Sequence, residues 1–511
     1  MKPKQIMLPL ILLLAFIEGA VVMSLEMLGA KMMAPLWGAS LMVWTAILFS
    51  AILSLAIGYF LGGMSAQKEN PINRVLWIYI FASGWIALLP HITPFVMIAL
   101  NDVGITAAAF LTGLTLLAFP LILLGASSPL LIQIVTSSKA LTGKASGHIF
   151  AISSLGGITA TFLLGFLVIP TFGITGPTII IAIILGLIPL FLLLRKNNFY
   201  PLGLIAVFLF SSFKYGSSHD PQLIYESEGL LGQMRVTESP NLKTLHVNRI
   251  PQTIIRYNSN GYPYFEYIMA LAIMSSSFPE GSKVLLNGVG GGPLLNEFRK
   301  LKFDVDAVDI DKRMEKIGKK YFGMDTRDYV RIDDARHFIR TSKNKYDIII
   351  LDIFKGEVNP SHAFTIEALE EIKLRLKESA SLMVNFNGIT SGENGIATRS
   401  LLKTLQEVGF NIMLLPTPGE EELRNLIILA SMDKNKTYLN VDLGRLGLNP
   451  NFDIASYLIQ PSAIEMSGDE VIFTDDKQQL DVLNQSSYEA WRKEIIGFIA
   501  REVEDGYGFF N

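Results

Sequence analysis

Residues 282–311, SKVLLNGVGGGPLLNEFRKLKFDVDAVDID, decide how the second half of this chain folds. They read as a buried strand over 283–286, a glycine-rich turn from Gly288 to Gly292, a helix opened by Pro293, and a second strand ending on Asp309. Proline suits a first helical position because the N–H it lacks would have no intrahelical partner there. Glycines let backbone N–H groups and the helix N-terminus approach a ligand, and an acid about 20 residues further on can accept both hydroxyls of a ribose. The pattern predicts a nucleoside site; taken alone, it is also what a tight strand-to-helix turn looks like. The glycines fall as Gly288-x-Gly290-x-Gly292 rather than G-x-G-x-x-G, a spacing that suits an adenosyl-sulfonium cofactor better than a dinucleotide.

Outward from this stretch, strands and helices alternate. Strands are expected at 284–287, 305–309, 329–333, 348–353, 381–386, 411–416 and 425–431, and helices at 294–301, 313–321, 366–377 and 398–408. Such alternation implies a doubly wound α/β sheet that binds ligands at the carboxyl ends of its strands. Upstream, residues 222–277 fall into short runs separated by Ser, Asn and Pro and read as a small antiparallel β-sheet. The sheet domain is expected over 278–432 and a C-terminal extension over 433–511, with an amphipathic helix near 488–503 that packs on the body.

Residues 1–213 differ in kind. They hold nine Lys/Arg and four acids, although the whole chain has 43 basic and 46 acidic residues. A membrane-spanning helix needs about 20 apolar residues. Spans are expected at 6–30, 41–61, 75–90, 105–132, 149–170 and 175–194, and a seventh apolar run, 200–213, is shorter than a full span. Lys and Arg in the short loops place the N-terminus and alternate loops on the cytoplasmic side. Six spans leave the second half in the cytoplasm, and a seventh would put it outside. Pro120 and Pro129 suggest a break in the fourth span, and Gly58, Gly62, Gly63, Gly156, Gly157 and Gly165 suggest close helix packing. Glu18 and Glu26 are the carboxylates inside an expected span, and an ionisable group there is a functional candidate. The two could attract a cation such as a polyamine; equally, Glu18 could hydrogen-bond a neighbouring helix and Glu26 could pair with Lys31.

With no cysteine there is no disulfide, thiolate metal site or cysteine nucleophile. The six histidines have no ligand-like spacing, which predicts no metal, and an acidic domain without basic clusters argues against nucleic acid. Acids close three expected strands: Asp309, Asp334 after the third, and Asp352 at the end of IIILD. One such acid is commonly a helix cap. Three beside a glycine turn form a constellation.

From about residue 223 to 432 these features resemble the polyamine aminopropyltransferases (spermidine synthases). The spans in front, and Thr474-Asp475-Asp476 near the end, resemble that family's membrane-fused branch. The family shows G-G-G-D-G-G after a strand, an acid ending the next strand, Asp-Gly after the third and D-S-S-D-P after the fourth. The resemblance implies a polytopic α-helical membrane domain followed by a Rossmann-like, methyltransferase-type domain with a small β-sheet before it. It further implies that Gln233, Gly288, Gly290, Gly292, Asp309, Asp334 and Ala335 hold an S-adenosyl cofactor. Asp352 matches the base that accepts the proton of the attacking amine, and Tyr264 and Glu266 match substrate contacts.

Three positions depart from the family: Gly290 stands for a loop aspartate, Lys355 for the second aspartate of D-S-S-D-P, and Phe265 for a polar His or Gln. Each removes an acceptor for an ammonium, so a doubly charged diamine should bind poorly. Expected, then, is a multi-pass transferase of the cell (inner) membrane that moves an aminopropyl or related alkyl group to an amine acceptor. Its donor would be decarboxylated S-adenosylmethionine or S-adenosylmethionine, with no metal. The lipid bilayer is a partner, nucleic acid is not, and a homo-oligomer is compatible with the sequence. Two other readings stay open: an S-adenosylmethionine-dependent methyltransferase or aminocarboxypropyltransferase, and a polyamine transporter or sensor whose nucleoside domain does not turn over.

Overall fold

The computed structural model describes residues 3–504 except 39–40, 67, 101–102, 137–141, 218–221, 230, 258–264 and 449–454. Two units make up the chain: residues 1–234 with 495–511, and residues 235–494.

The first unit is helical: α1 (Pro3–Trp37), α2 (Leu41–Ser65), α3 (Pro71–Ala99), α4 (Ile105–Val135), α5 (Thr142–Leu163), α6 (Ile169–Phe172), α7 (Thr175–Leu194) and α8 (Gly203–Ser217). Among the described residues six helices are long and apolar enough to cross a membrane, with α5 and α6 joined as one through a π-helical turn at Leu164–Val168. That turn lies just before Pro170, whose missing N–H cannot serve the carbonyl four residues back. The run at Tyr200–Ser212 is shorter than a span.

The expected break in the fourth helix does not occur: α4 runs through Pro120 and Pro129 without interruption. Pro120 leaves the carbonyl of Leu116 without its helical donor, and the indole Nε1–H of Trp85 on α3 supplies one at 3.0 Å. A side chain from the next helix thus repairs the ladder. Small residues set the helix spacing. A Cβ on Gly58 or Gly62 would lie 2.4 Å from the carbonyl oxygen of Ile122 or Ala126 on α4, and one on Gly156 would lie 2.0 Å from that of Phe16 on α1. Glu18, buried on α1, accepts from the hydroxyl of Ser128 on α4 at 3.2 Å and from that of Ser153 on α5 at 2.8 Å. Glu26 is half-buried on α1, and the Lys31 ammonium donates to the carbonyl of Gly229 at 3.1 Å.

Short strands follow: β1 (Leu223–Ser227), β2 (Met234–Glu238), β3 (Leu242–Val247) and β4 (Ile250–Arg256), with β3 and β4 paired antiparallel across a register shift at Leu245/His246. A helix the sequence reading lacked, α9 (Glu266–Ser275), precedes the main sheet. That sheet contains β5 (Lys283–Asn287), β6 (Asp304–Asp309), β7 (Val330–Ile332), β8 (Tyr346–Leu351), β9 (Leu376–Asn387), β10 (Asn411–Pro416) and β11 (Asn425–Ser431) in the order β10-β11-β9-β8-β5-β6-β7. Strands β5 to β9 are parallel, and β11 runs antiparallel to both β9 and β10. The connecting helices are α10 (Pro293–Lys300), α11 (Arg313–Tyr321), α12 (Ala335–Thr341), α13 (Ile366–Lys373) and α14 (Ile396–Glu407), and the tail adds α15 (Leu480–Leu483) and α16 (Gln485–Glu504).

Both faces of the sheet are buried. Leu285, Ile349 and Leu351 enter one core, and Val284, Leu286, Ile348 and Ile350 the other. Hence the strands read as continuous apolar runs. The chain leaves β5 with β6 on one side and β8 on the other, so the strand order reverses there. A crevice at the carboxyl ends is the consequence.

Candidate active site

The glycine turn sits at that crevice. Gly288, Gly290 and Gly292 all have positive φ, and a Cβ on Gly288 would lie 1.8 Å from the carbonyl oxygen of Asp352. Only glycine fits there, because the turn leaving β5 runs hard against the end of β8, its neighbour in the sheet. The N–H of Gly291 donates to the Thr253 hydroxyl at 2.9 Å, that of Gly292 to the carbonyl of Val289 at 2.9 Å, and that of Gly288 to the carbonyl of Val308 at 2.9 Å.

Asp309 fills what is left of the turn's donor capacity. Its Oδ2 accepts from the N–H of Val289 at 3.0 Å and its Oδ1 from the N–H of Asp311 at 2.8 Å. In a dinucleotide-binding turn such N–H groups face a pyrophosphate. Here a carboxylate of the protein takes that place, which excludes a second anion and leaves the free lone pairs of Asp309 for hydroxyl donors. Burial pushes Asp309 up to about 6, against the lowering effect of its backbone hydrogen bonds.

Asp352 closes β8. The amide of Asn385 donates to its Oδ1 at 2.8 Å, and the Tyr267 hydroxyl donates to the same carboxylate. Burial pushes Asp352 up to about 7, and the negative charge of Asp309 adds to the rise. The sequence reading did not require such a rise, since it allowed the amine to arrive already neutral; long-range packing supplies it. Behind Asn385 stands a second clamp, in which the Asn425 amide donates to Asn385 Oδ1 and to Asn387 Oδ1, both at 2.9 Å.

Asp334 caps α12 by accepting from the N–H of His337 at 3.0 Å, and its Oδ2 faces His362 Nε2 at 3.2 Å. The His362 contact holds it down to about 2. Ala335 opens the same helix and is buried. The tail is fastened alongside: the Arg336 guanidinium pairs with Asp475 at 2.6 Å and Glu371 at 3.0 Å, and the Thr365 hydroxyl donates to Asp475 at 2.7 Å. The Thr474-Asp475-Asp476 run therefore anchors the C-terminal segment next to Asp334.

The structure brings Gly288, Gly290, Gly292, Asp309 and Asp352 together at neighbouring strand ends, with Asp334 and Ala335 at the start of α12, after β7. Gln233 belongs to the other unit, where its amide donates to Glu226 at 2.7 Å. Tyr264 lies outside the described residues, and Glu266 is exposed in the first turn of α9. Tyr267, Thr253, His362 and Asn385 were missed. For Asn385 a signal existed: Asn385 and Asn387 alternate within an apolar strand, and buried amides on one strand face demand partners. Among the described residues no three His, Asp or Glu side chains gather as a metal site.

The family described as "Spermine/spermidine synthase domain" matches residues 262–441. A polyamine aminopropyltransferase 2 of Aquifex aeolicus is 25% identical over 422 residues, covering 75% of this chain and 81% of that one. A polyamine aminopropyltransferase of Vibrio vulnificus is 30% identical over 190 residues, 35% of this chain and 62% of that one. The crystal structure of spermidine synthase from Thermotoga maritima aligns over 48% of this chain and 87% of that one, at a TM-score of 0.37 and 19% identity. A set of apolar helices precedes an α/β domain whose residues 262–441 match the spermine/spermidine synthase domain, and the chain is similar to polyamine aminopropyltransferases.

Proposed function

We propose that the protein moves an aminopropyl or closely related alkyl group from an S-adenosyl sulfonium donor to an amine. The observation that carries this is the pair Asp309 and Asp352. Both are desolvated and their charges interact, yet among the described residues neither has a cationic partner. Two such acids flanking a turn whose N–H groups are already taken suit a ligand bearing hydroxyls and a fixed positive charge.

Asp309 would accept the ribose hydroxyls, Asp334 and Ala335 would meet the adenine edge, and the glycine turn would complete the nucleoside site. When bound, the sulfonium supplies an electrophilic carbon whose bond to sulfur breaks as the bond to nitrogen forms. Asp352 accepts the proton of the attacking amine. Tyr267 and Asn385 hold its carboxylate in one orientation, and a pKa of about 7 matches a base working near neutrality. Holding the reactants in line contributes about 7–11 kcal/mol and the base about 10²–10⁴-fold.

A second reading, methyl or aminocarboxypropyl transfer from intact S-adenosylmethionine, draws support from Lys355, an exposed cation three residues past Asp352 that could face a donor carboxylate. Supplying the full-length protein with each donor in turn separates the two. Release of methylthioadenosine from the decarboxylated donor supports aminopropyl transfer; S-adenosylhomocysteine as the sole nucleoside product would overturn it. The basic loops of the helical unit further support placing the α/β domain on the cytoplasmic side of the cell (inner) membrane. The transporter or sensor reading gains least, because both oxygens of Glu18 already have hydroxyl partners.

A further inference from the structure

From the proposed base Asp352 the chain runs through residues 353–365 to the start of α13, and the tail retraces that segment in reverse. The N–H of Ile366 donates to the carbonyl of Phe473 at 2.8 Å, the Thr365 hydroxyl to Asp475 at 2.7 Å, and the Ser361 hydroxyl to Asp481 at 2.7 Å. Nearest the base, Arg492 on α16 makes a two-pronged ion pair with Glu357, its Nε donating to Oε1 at 3.0 Å. All four tail partners lie beyond residue 441, where the match to the family ends, and within the unit of residues 235–494.

The bonds continue from that ion pair to the base. Buried Asn359 donates through its amide to the carbonyls of Ile353 and Asn385, both at 3.2 Å, and its Oδ1 accepts from the N–H of Asn387 at 3.3 Å. The Asn387 amide donates to the carbonyl of Glu357 at 3.5 Å, and the Asn387 carbonyl accepts from the amide of Asn484 in the tail at 2.6 Å. Ile353 is the residue after Asp352, and Asn385 is the residue whose amide holds the Asp352 carboxylate. Two buried tail side chains, Asn484 and Arg492, thus reach the base through Glu357, Asn387 and Asn359.

We propose that the tail from Phe473 to Arg492 is a working part of the site, and that Arg492 is a positioning residue for Asp352, acting through Glu357 and the asparagine network. Stability alone does not call for an ion pair here, since apolar side chains of similar volume serve a buried position as well or better. What a guanidinium fork adds is direction, because it receives a carboxylate in one orientation and so fixes the turn that carries Glu357. The inference rests on the transferase reading and adds to it residues that orient the base without touching substrate.

The test compares the purified full-length protein with two variants. Glu357→Met/Arg492→Met keeps the volume and leaves no lone buried charge, and Arg492→Lys keeps the charge without the fork. In the double variant, hydrogen exchange of the amides over 352–359 should quicken by about 10-fold or more. Its kcat for thioether release from decarboxylated S-adenosylmethionine, with 1,4-diaminobutane or n-butylamine as the amine, should fall by about 10-fold, while the calorimetric Kd of the donor stays within about threefold. Arg492→Lys should fall between the two, and it carries the same comparisons if the double variant does not fold. Unaltered exchange, an unaltered kcat, or a loss of donor affinity as large as the loss of kcat overturns the inference while the transferase reading stands. If the unmodified protein binds the donor but uses neither amine, the exchange result alone decides. Neither donor binding nor thioether release by the unmodified protein overturns the transferase reading, and the inference with it.

Discussion

At the proposed nucleoside end of the site, backbone N–H groups orient Asp309, the last residue of β6, and Asp334, the cap of α12; at the proposed base, Tyr267 and the amide of Asn385 hold Asp352, and an arginine from the tail pairs with Glu357. The first half is built from local turn geometry and the second from contacts between distant segments. On the proposed reading, recognition of the adenosyl group is separable from the transfer step, and substitutions at either end should divide accordingly.

The largest effect is expected where the halves meet. Asp352→Asn should lower kcat by about 10²–10⁴-fold while leaving donor affinity within several-fold, as read by steady-state rates and calorimetry. The same substitution should stabilise the ligand-free protein above pH 7. The sign follows from the raised pKa: a carboxyl lifted from 3.8 to about 7 by folding favours the fold when protonated, and that stability is lost as pH climbs through this window. A gain on the order of 1–3 kcal/mol at pH 8 is expected from denaturant titration.

Asp309→Asn should act on the nucleoside end, weakening donor binding by roughly 30–100-fold through loss of a charge-assisted contact. An unchanged dissociation constant would break the division between the halves. Donor affinity of the unmodified protein should rise between about pH 5 and pH 8, as Asp309, at about 6, and then Asp352, at about 7, become ionised and attract the fixed sulfonium charge. Calorimetry across that range checks it, and a flat profile would show that neither acid meets the cation.

Asn425→Ala removes the clamp behind Asn385, and a loss of about 10-fold in kcat with little change in donor affinity is expected from a misaligned base. The smallest effect belongs to Glu18→Gln, which keeps two hydrogen bonds in the helical unit: transfer rates should stay within about twofold of the unmodified protein.

Much of this molecule was legible before any coordinates. The apolar runs correspond to the helices long enough to span a bilayer, and strands β10 and β11 fall on the expected residues, because period and length are local properties. The acids at the strand ends were visible for the same reason, since a parallel sheet puts the end of each strand at one edge. The break foreseen at Pro120 was not visible for what it is, because the donor that rescues Leu116 comes from Trp85, 31 residues earlier. Tyr267 was passed over in favour of its neighbours because nothing local marks where α9 begins, and that start decides which side chain turns inward.

Composition and spacing alone thus determined an apolar helical segment followed by a doubly wound sheet with three acids at its strand ends, because turns, strand ends and hydrophobic runs are written in adjacent residues. Only tertiary structure decided that the carboxylate of Asp309 plugs its own turn, that burial lifts Asp352 toward neutrality, and that Arg492 reaches back from the tail to pair with Glu357. Desolvation and side-chain pairing join segments from 20 residues apart, as in Val289 and Asp309, to 135 apart, as in Glu357 and Arg492, and no local pattern encodes those distances.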